Sequence, residues 1–588
     1  MSKRAFGNSK TGTLLAMVGA ATISLGALAG CEAPDWENPD YVAKMLKEGE
    51  GAEKSIALEN LRKFPEERYS EVAPALVEIY MAGERDAKDA MSYLVQWRVP
   101  EAVDAYIKEM ETDEAGYAGA AAEALGILDH RAAIPKMVAA LQGTDNNERK
   151  QGILRGMARM SDPQMVEPMV ELLKLDADNF PIALHAYACE ILGNIGQENA
   201  GAITEEARDM VVLGMFLSNN TNQNTNRECG LAAQQIGPTI VPHLVKTFNG
   251  EHQAVNQLLM KYNQGPDYAF PPNQAKLVSA IRLGSMRAPQ AVELFMADLK
   301  SEKGAPEELS GRQAVSWRLK EGNATDEMIL ALGDLGDPQA RELLEEIVSD
   351  EYTNDEWDEI TDGLIELQLR QDAATALARL GDRAALPTLM KMAKDGVIVD
   401  LEKRFVMLAQ NGQPGKEEER YQFNWMVAQS YAMLAEADQR ETYQGLIDAT
   451  DEGGLKEKYK SFLPAFDVAA ECGGAGDAAA QAACYGKKIE DENEVVRSKA
   501  AYELSRLPAE VASPVVAEAI KTQNLETREL LTFAGYRVAT PELAQAVGEL
   551  LEEEKGRSND AARRDRNRLK LLHAYALRSS QGGAQAAE

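Results

Sequence analysis

Two distant stretches of the sequence, ALGILDHRAAIPKMVAAL at 124–141 and ALGDLGDPQARELLEEIV at 331–348, share one frame. Each reads small residue, Leu, Gly, any residue, Leu, then a polar turn, an Ala seven residues after the Gly, and an apolar helical run. Gly126, Leu128 and Ala133 align with Gly333, Leu335 and Ala340, and the same frame fits Gly193, Ile195, Ala200 and Gly284, Met286, Ala291. With Ala or Ser in the glycine slot it fits Ala158, Met160, Met165, then Ala378, Leu380, Ala385, then Ser505, Leu507, Ala512, and a looser copy starts at Val95. Self-similarity at this period restricts the chain to a repeat architecture, in which each unit buries its apolar face only against its neighbours.

The frame has a physical reading. A helix ends at the Leu-Gly pair, where a small residue admits a neighbouring helix. Asp162-Pro163, Asp337-Pro338 and Thr540-Pro541 then open the next helix, since Asp or Thr caps free N–H groups and Pro has none to leave unpaired. A second proline, at Pro135, Pro168 and Pro387, falls early enough to be tolerated while tilting its helix. The partner helix, as in ENEVVRSKAAYELSRL at 492–507, opens polar and carries a Val-Arg pair and an Ala-rich face. Arg149 and Arg528 stand in similar openings. Each unit is therefore a pair of antiparallel helices. Aromatics are only 6% and no run of β-branched alternation occurs, so the expected fold is all-α, an α-solenoid.

The Ala-Leu-Gly-x-Leu-x-Asp block at 331–337, Leu386-Pro387 and Val496-Arg497 resemble HEAT repeats, in particular the HEAT-like type found in phycobilisome lyases. That resemblance implies a superhelix with a long concave surface for a partner, and it leaves a chromophore-lyase-like enzyme and an envelope assembly factor as alternatives to a scaffold. Inserts at 217–228, 262–274 and 410–422 are expected as surface loops.

The N-terminus is of another kind. Lys3, Arg4 and Lys10 precede an apolar run from Thr11 to Ala29, followed by Leu28-Ala29-Gly30-Cys31. A basic head, an apolar middle and small residues before a cut mark a secretory signal. The stretch resembles a bacterial lipoprotein signal, which implies cleavage between Gly30 and Cys31 and lipidation of Cys31. The alternative is an uncleaved membrane helix. The resulting expectation is a signal at 1–30, an acidic tether at 31–40, an array at 41–578 and a disordered tail at 579–588. It places the protein in the bacterial cell envelope, attached to the membrane through the N-terminal lipid. Glu32 after the cysteine leans towards the outer membrane facing the periplasm, with the inner membrane and the cell surface left open.

Charge and cysteines narrow the function. The 62 Lys+Arg stand against 94 Asp+Glu, a net charge of −32. A field of that sign disfavours nucleic acid and favours a basic peptide or protein partner of unknown identity. The basic cluster Arg563, Arg564, Arg566, Arg568 and Lys570 alternates with Asp560 and Asp565, as on the solvated face of a last helix. Cys472 and Cys484 flank a Gly473-Gly474 break and form a candidate disulfide worth about 3 kcal/mol in the chain-entropy model. Cys189 and Cys229 read better as small core residues than as a bridge. The histidines His130, His185, His243, His252 and His573 are scattered, with no pair at metal-ligand spacing. No phosphate loop or nucleophile elbow occurs, and DEYTNDEWDE at 350–359 lacks calcium-loop spacing. The expectation is therefore no catalytic residue, no metal and no cofactor.

Overall fold

The computed structural model describes residues 35–112, 115–175, 181–217, 224–262, 271–301, 312–349, 364–395, 416–554 and 560–585. Gly30, Cys31 and the acidic run at 350–359 lie outside them, as do 218–223, 263–270 and 410–415 of the inserts, whereas 224–228, 271–274 and 416–422, expected as surface loops, open helices. Every regular element among the described residues is helical, and the chain is an all-α solenoid of helix pairs. No described helix is long and apolar enough to cross a membrane. The chain divides into two compact units, at Ala102 and Val103, where the sequence frame had suggested one continuous array.

The first unit holds helices Pro39–Glu48, Ala52–Asn60, Tyr69–Ala82 and Ala87–Trp97. Its first helix begins two residues before the expected start, because Asn38 Oδ1 accepts from Asp40 N at 3.0 Å and Pro39 occupies the first helical position. Leu46, Leu58, Leu61, Val72, Leu76 and Leu94 form its core, and Tyr69 stacks on Trp97 with ring centroids 3.9 Å apart.

In the second unit the helices form two layers. The inner layer contains the slot-bearing helices and two others of the same series: Ala115–Ile127, Asn147–Met157, Ile182–Glu198, Asn224–Ile236, Pro271–Ser285, Arg312–Leu335, Leu364–Leu380 and Lys416–Leu434, each packed on the next. The outer layer holds the shorter helices between them, such as Ile134–Gln142, Val166–Leu173 and Leu386–Asp395. The glycine slot works as read. A Cβ on Gly126 would lie 2.1 Å from Gly156 O, and one on Gly333 would lie 2.5 Å from Ala376 Cα, so backbones touch where the helices cross. The frame has a further position that the sequence reading missed. Three residues past the slots at Val95, Gly126, Gly284, Gly333 and Ala378, the backbone turns left-handed at Arg98, Asp129, Arg287, Gly336 and Gly381. That residue ends the helix by reversing the chain.

The second proline is tolerated for a specific reason. The turn after each slot is a short 3-10 segment (Arg131–Ala133, Pro163–Met165, Pro338–Ala340, Arg383–Ala385) that leads directly into the outer helix. Asp162, Asp337 and Asp382 cap these segments, accepting from Gln164 N, Gln339 N and Ala384 N at 2.9 to 3.0 Å. The Ala slot closes the segment in three of the four, fully buried at Ala133, Ala340 and Ala385. Pro135 and Pro387 are then the second residue of an α-helix, where no N–H is required.

Two terminal and cysteine readings change. The last helix, Asp560–Gln585, continues through most of the span expected to be a disordered tail. Cys189 and Cys229 are buried but are also joined by a disulfide, with Cα atoms 4.8 Å apart. They occupy the adjacent inner helices Ile182–Glu198 and Asn224–Ile236, about a turn before these cross at Gly193 and Ala232. Gly214 leaves the room for the bridge, since its Cβ would lie 2.5 Å from Cys229 Sγ. Cys472 and Cys484 are joined as well, with Cα atoms 5.3 Å apart.

Candidate functional site

The C-terminal inner helices Glu494–Leu504, Leu525–Arg537 and Asp560–Gln585 turn back onto the inner layer of the middle repeats. The contact is made chiefly by cations reaching helix C-termini, where the last carbonyls have no partner within the helix and the dipole favours positive charge. Arg537 Nη2 donates to Gly333 O at 2.7 Å and to Arg379 O at 3.0 Å. Arg506 donates to Ala378 O at 3.0 Å and Met433 O at 3.2 Å. Lys499 Nζ donates to Met433 O at 3.1 Å and Ala435 O at 2.5 Å, and pairs with Glu503 at 2.7 Å. Burial holds its ammonium down to about 8 against the pull of Glu503.

The left-handed glycines make this approach possible. Arg537 lies where a Cβ on Gly336 would be, Arg506 lies beside Gly381, and the Arg578 chain crosses Gly237 with Cδ 2.5 Å from the missing Cβ. The C-terminal ends of the inner helices, from about Gly237 to Ala435, are thus in contact with the chain's own last repeats. The sequence signal was present in two parts, arginines one residue past a slot (Arg379, Arg506) and glycines three past it. Nothing local connects them.

A cavity of about 170 Å³ lies within this seam, lined by Arg287, Pro289, Val292, Asp334, Leu335, Asp337, Tyr536, Arg537 and Tyr575. Arg287 stands at φ 52°, its guanidinium 4.7 Å over the Tyr536 ring and 3.2 Å from Asp334. Arg379 reaches the same carboxylate at 3.3 Å and faces Phe533. Tyr536 and Tyr575 meet edge to face with centroids 5.1 Å apart. Burial pushes the Tyr536 hydroxyl well above the usual tyrosine range, and lowers both Arg537 and Arg578 to about 10.

Carboxylates crowd the inner layer elsewhere. Burial, then Asp372 and Glu327, push Asp326 up to about 8. Glu327 and Asp372 are raised too, with burial the first cause in each. Glu190 is raised by burial and then by Glu228. In the outer layer, two histidines that looked unrelated in sequence converge. His243 Nδ1 lies 2.7 Å from Asp209 Oδ1, His252 Nε2 lies 3.3 Å from the same oxygen, and His243 Nε2 lies 3.0 Å from Glu205. Among the described residues no group of three or more His, Cys, Asp or Glu is arranged to hold a metal ion. His130, His185 and His573 do not join this group.

The C-terminal basic cluster is only partly solvated. Arg563 and Arg564 are exposed, but Arg566 donates to Glu554 O at 2.9 Å and Arg568 pairs with Glu529 at 2.8 Å. Asp565 is buried against Arg528 at 2.5 Å. The repeat arginines read from the partner helix are structural. Arg149, Arg497 and Arg528 are buried and donate to Met110 O, to Asp491 O and Glu492 O, and to Thr522 O.

With this geometry in hand, comparison with known proteins identifies the repeat. Residues 369–395 match the family model of the PBS lyase HEAT-like repeat. That repeat is HEAT-like. The matched segment contains the slot at Ala378, the 3-10 turn and Leu386-Pro387. No curated protein sequence matches the chain. Among solved structures it is similar to Kap121p bound to Pho4p at 11% identity and TM-score 0.37, covering 92% of this chain and 66% of that one. The chain thus spans just under two thirds of that protein's length. Importin beta matches at 11% identity and TM-score 0.35, covering 91% and 72% of the two chains. Human deoxyhypusine hydroxylase in complex with glycerol matches at 14% identity and TM-score 0.21, covering 57% and 96%.

Proposed function

We propose that this protein is a lipid-anchored scaffold of the bacterial cell envelope, holding a basic protein or peptide segment on its HEAT-like array without catalysis of its own. The observation that carries the binding reading is an acidic edge repeated along the outer layer. Asp104, Glu167, Glu205, Glu293, Glu342 and Glu441 each lie in the first turn of an outer helix. Each is favoured there by its helix dipole, so the charge is compatible with folding. Glu205 and Glu342 remain 79% and 82% exposed, so a partner's cation can reach them beside their own neighbours Arg208 and Arg341. A row of carboxylates spaced by the repeat suits an extended Lys/Arg-rich segment, and the net charge of −32 would steer such a partner in. The C-terminal ends of the inner helices are less available, because the last repeats already contact them.

The compartment rests on Cys31 and on the other four cysteines, which are paired as Cys189–Cys229 and Cys472–Cys484. Paired cysteines suit an oxidising envelope compartment, and the lipid would confine the array to a membrane surface.

Crosslinking in intact envelopes, with identification of the captured peptides, tests the scaffold. The expected contacts are Lys/Arg-rich peptides joined to the outer-helix edge, and the complex should weaken with salt and with combined Glu205→Gln, Glu342→Gln and Glu441→Gln. A salt-insensitive complex indifferent to those changes would refute the acidic-edge reading. For the anchor, Cys31→Ser should release a folded protein from membranes on fractionation; a variant that stays membrane-bound would sink the lipid assignment.

A further inference from the structure

We propose that the cavity between the middle and C-terminal repeats is a binding site for a small organic carboxylate with an apolar body. Four guanidiniums, Arg287, Arg379, Arg537 and Arg578, gather in or beside this seam, and Asp334 is the carboxylate shared by Arg287 and Arg379. Asp337 is at the cavity as well, but its Oδ1 accepts from Gln339 N at 2.9 Å as the cap of the next turn. Positive charge is therefore in excess in a region removed from water, where cations require paired anions. This excess stands out in a chain that carries 94 Asp+Glu.

The donors are also incompletely used. Arg287, whose side chain is only 10% exposed, has Nε and Nη1 buried without a hydrogen bond, although Nη1 lies 3.2 Å from Asp334. Arg537 spends Nη2 on Gly333 and Arg379 but has a buried Nε with no partner. Both arginines line the cavity. Buried donors in native proteins are nearly always satisfied, so unused ones on a cavity wall point to a missing acceptor.

The backbone adds a separate observation. At the equivalent position of the next two repeats, the left-handed residue is Gly336 or Gly381, whereas here it is Arg287. A side chain in that conformation, as also at Arg98 and Asp129, carries a steric cost that glycine avoids. The reward is position: the left-handed turn lays the guanidinium between Asp334 and the Tyr536 face.

Size and walls select the ligand class. A single water needs roughly 10–15 Å³ of such space, so a cavity of about 170 Å³ admits a small organic molecule. Two guanidiniums supply planar forks that match a carboxylate. Pro289, Val292, Leu335 and the tyrosine rings offer an apolar wall that a bare inorganic anion would leave unused. The ligand would touch both the middle repeats (Arg287) and the C-terminal repeats (Arg537), so its binding would also hold the seam shut.

Calorimetric titration of the purified full chain with benzoate, and in parallel with inorganic phosphate, tests the proposal. Benzoate is expected to bind saturably and to raise the melting temperature. Arg287→Asn, which keeps a residue tolerant of the left-handed turn, should weaken benzoate about tenfold or more through loss of a charge-assisted contact. Arg537→Lys keeps the charge but loses the fork, and should weaken it as well, which preserves the test if Arg287→Asn does not fold. Saturable phosphate binding without benzoate binding would overturn the carboxylate assignment. Binding of neither probe, or benzoate binding unchanged in both variants, would overturn the site.

Discussion

Replacing Gly333 by Ala tests the contact on which the whole inner layer depends. A Cβ there would sit 2.5 Å from Ala376 Cα, 2.6 Å from Ala376 O and 2.8 Å from Ala376 Cβ. Relaxed contact between such atoms needs about 3.5–4 Å, so the helices Arg312–Leu335 and Leu364–Leu380 must part by roughly 1 Å. The obstruction is largely backbone, so no side-chain rotation relieves it. Overpacking of this kind costs about 1–3 kcal/mol, against a helix-propensity gain of about 1 kcal/mol for Ala over Gly. The expected net effect is destabilisation by up to about 2 kcal/mol, and Gly333→Leu should be worse. Gly445 is the matched control, because it lies in the helix Arg440–Asp448 and nothing stands within 4 Å of its added Cβ. Gly445→Ala should therefore stabilise by about 0.5–1 kcal/mol. Urea midpoints of the two variants must move in opposite directions. If Gly333→Ala matched Gly445→Ala in sign, the close approach of inner helices at the slot would be wrong.

Three further outcomes follow from buried charge and covalent ties. Arg528→Met should cost about 3–5 kcal/mol in urea unfolding, since it removes the cation that Asp565, 3% exposed, meets at 2.5 Å; adding Asp565→Leu should recover part of that loss. Asp326 has a folded pKa of about 8 against 3.8 for an ordinary Asp, so between those values the unfolded chain gives up a proton that the folded chain retains, and stability falls as pH rises. Asp326→Asn should raise the melting temperature at pH 8 by an effect bounded at roughly 6 kcal/mol, and the gain should vanish near pH 4; a pH-independent gain would contradict the burial of that carboxyl. Cys189→Ala/Cys229→Ala opens a bridge spanning 40 residues and Cys472→Ala/Cys484→Ala one spanning 12, so chain entropy sets losses of about 4 and about 3 kcal/mol, readable as the order of the two melting temperatures.

The local half of this fold is written plainly in the sequence. Glycine slots, Asp-Pro caps and buried repeat arginines act within one helix pair or between adjacent pairs, and each leaves a mark at fixed spacing. The curl of the array does not. It accumulates from small rotations at each repeat, so no spacing announces that Arg537 will reach Gly333 across 204 residues. The same limit hid the histidine pair on Asp209, which joins three elements of the outer layer. Cys189–Cys229 was closer to legible, since each cysteine precedes its helix crossing by about a turn. Reading either cysteine alone as a small core residue accounted for its burial and overlooked the shared register.

One acceptor explains how an open repeat becomes a closed one. The carbonyl of the slot residue lies in the last turn of its helix, so it needs a donor from outside. At Ala158 the next repeat supplies it: Asn194, one residue past its own slot, donates at 3.0 Å across 36 residues. At Ala378 and Gly333 the donors are instead Arg506 and Arg537, across 128 and 204 residues. Where the position after the slot is Asn194, its short amide satisfies the neighbouring carbonyl. At Asp334 and Arg379 those side chains pair with each other at 3.3 Å, and the slot carbonyls beside them are left to distant donors. A long cation from the C-terminal repeats is then the group with the reach and charge to serve them. Closure therefore depends on which residue follows the slot: the middle repeats spend that position on an ion pair, and Arg506 stands there in a last repeat, with Arg537 reaching Gly333 from the repeat after it.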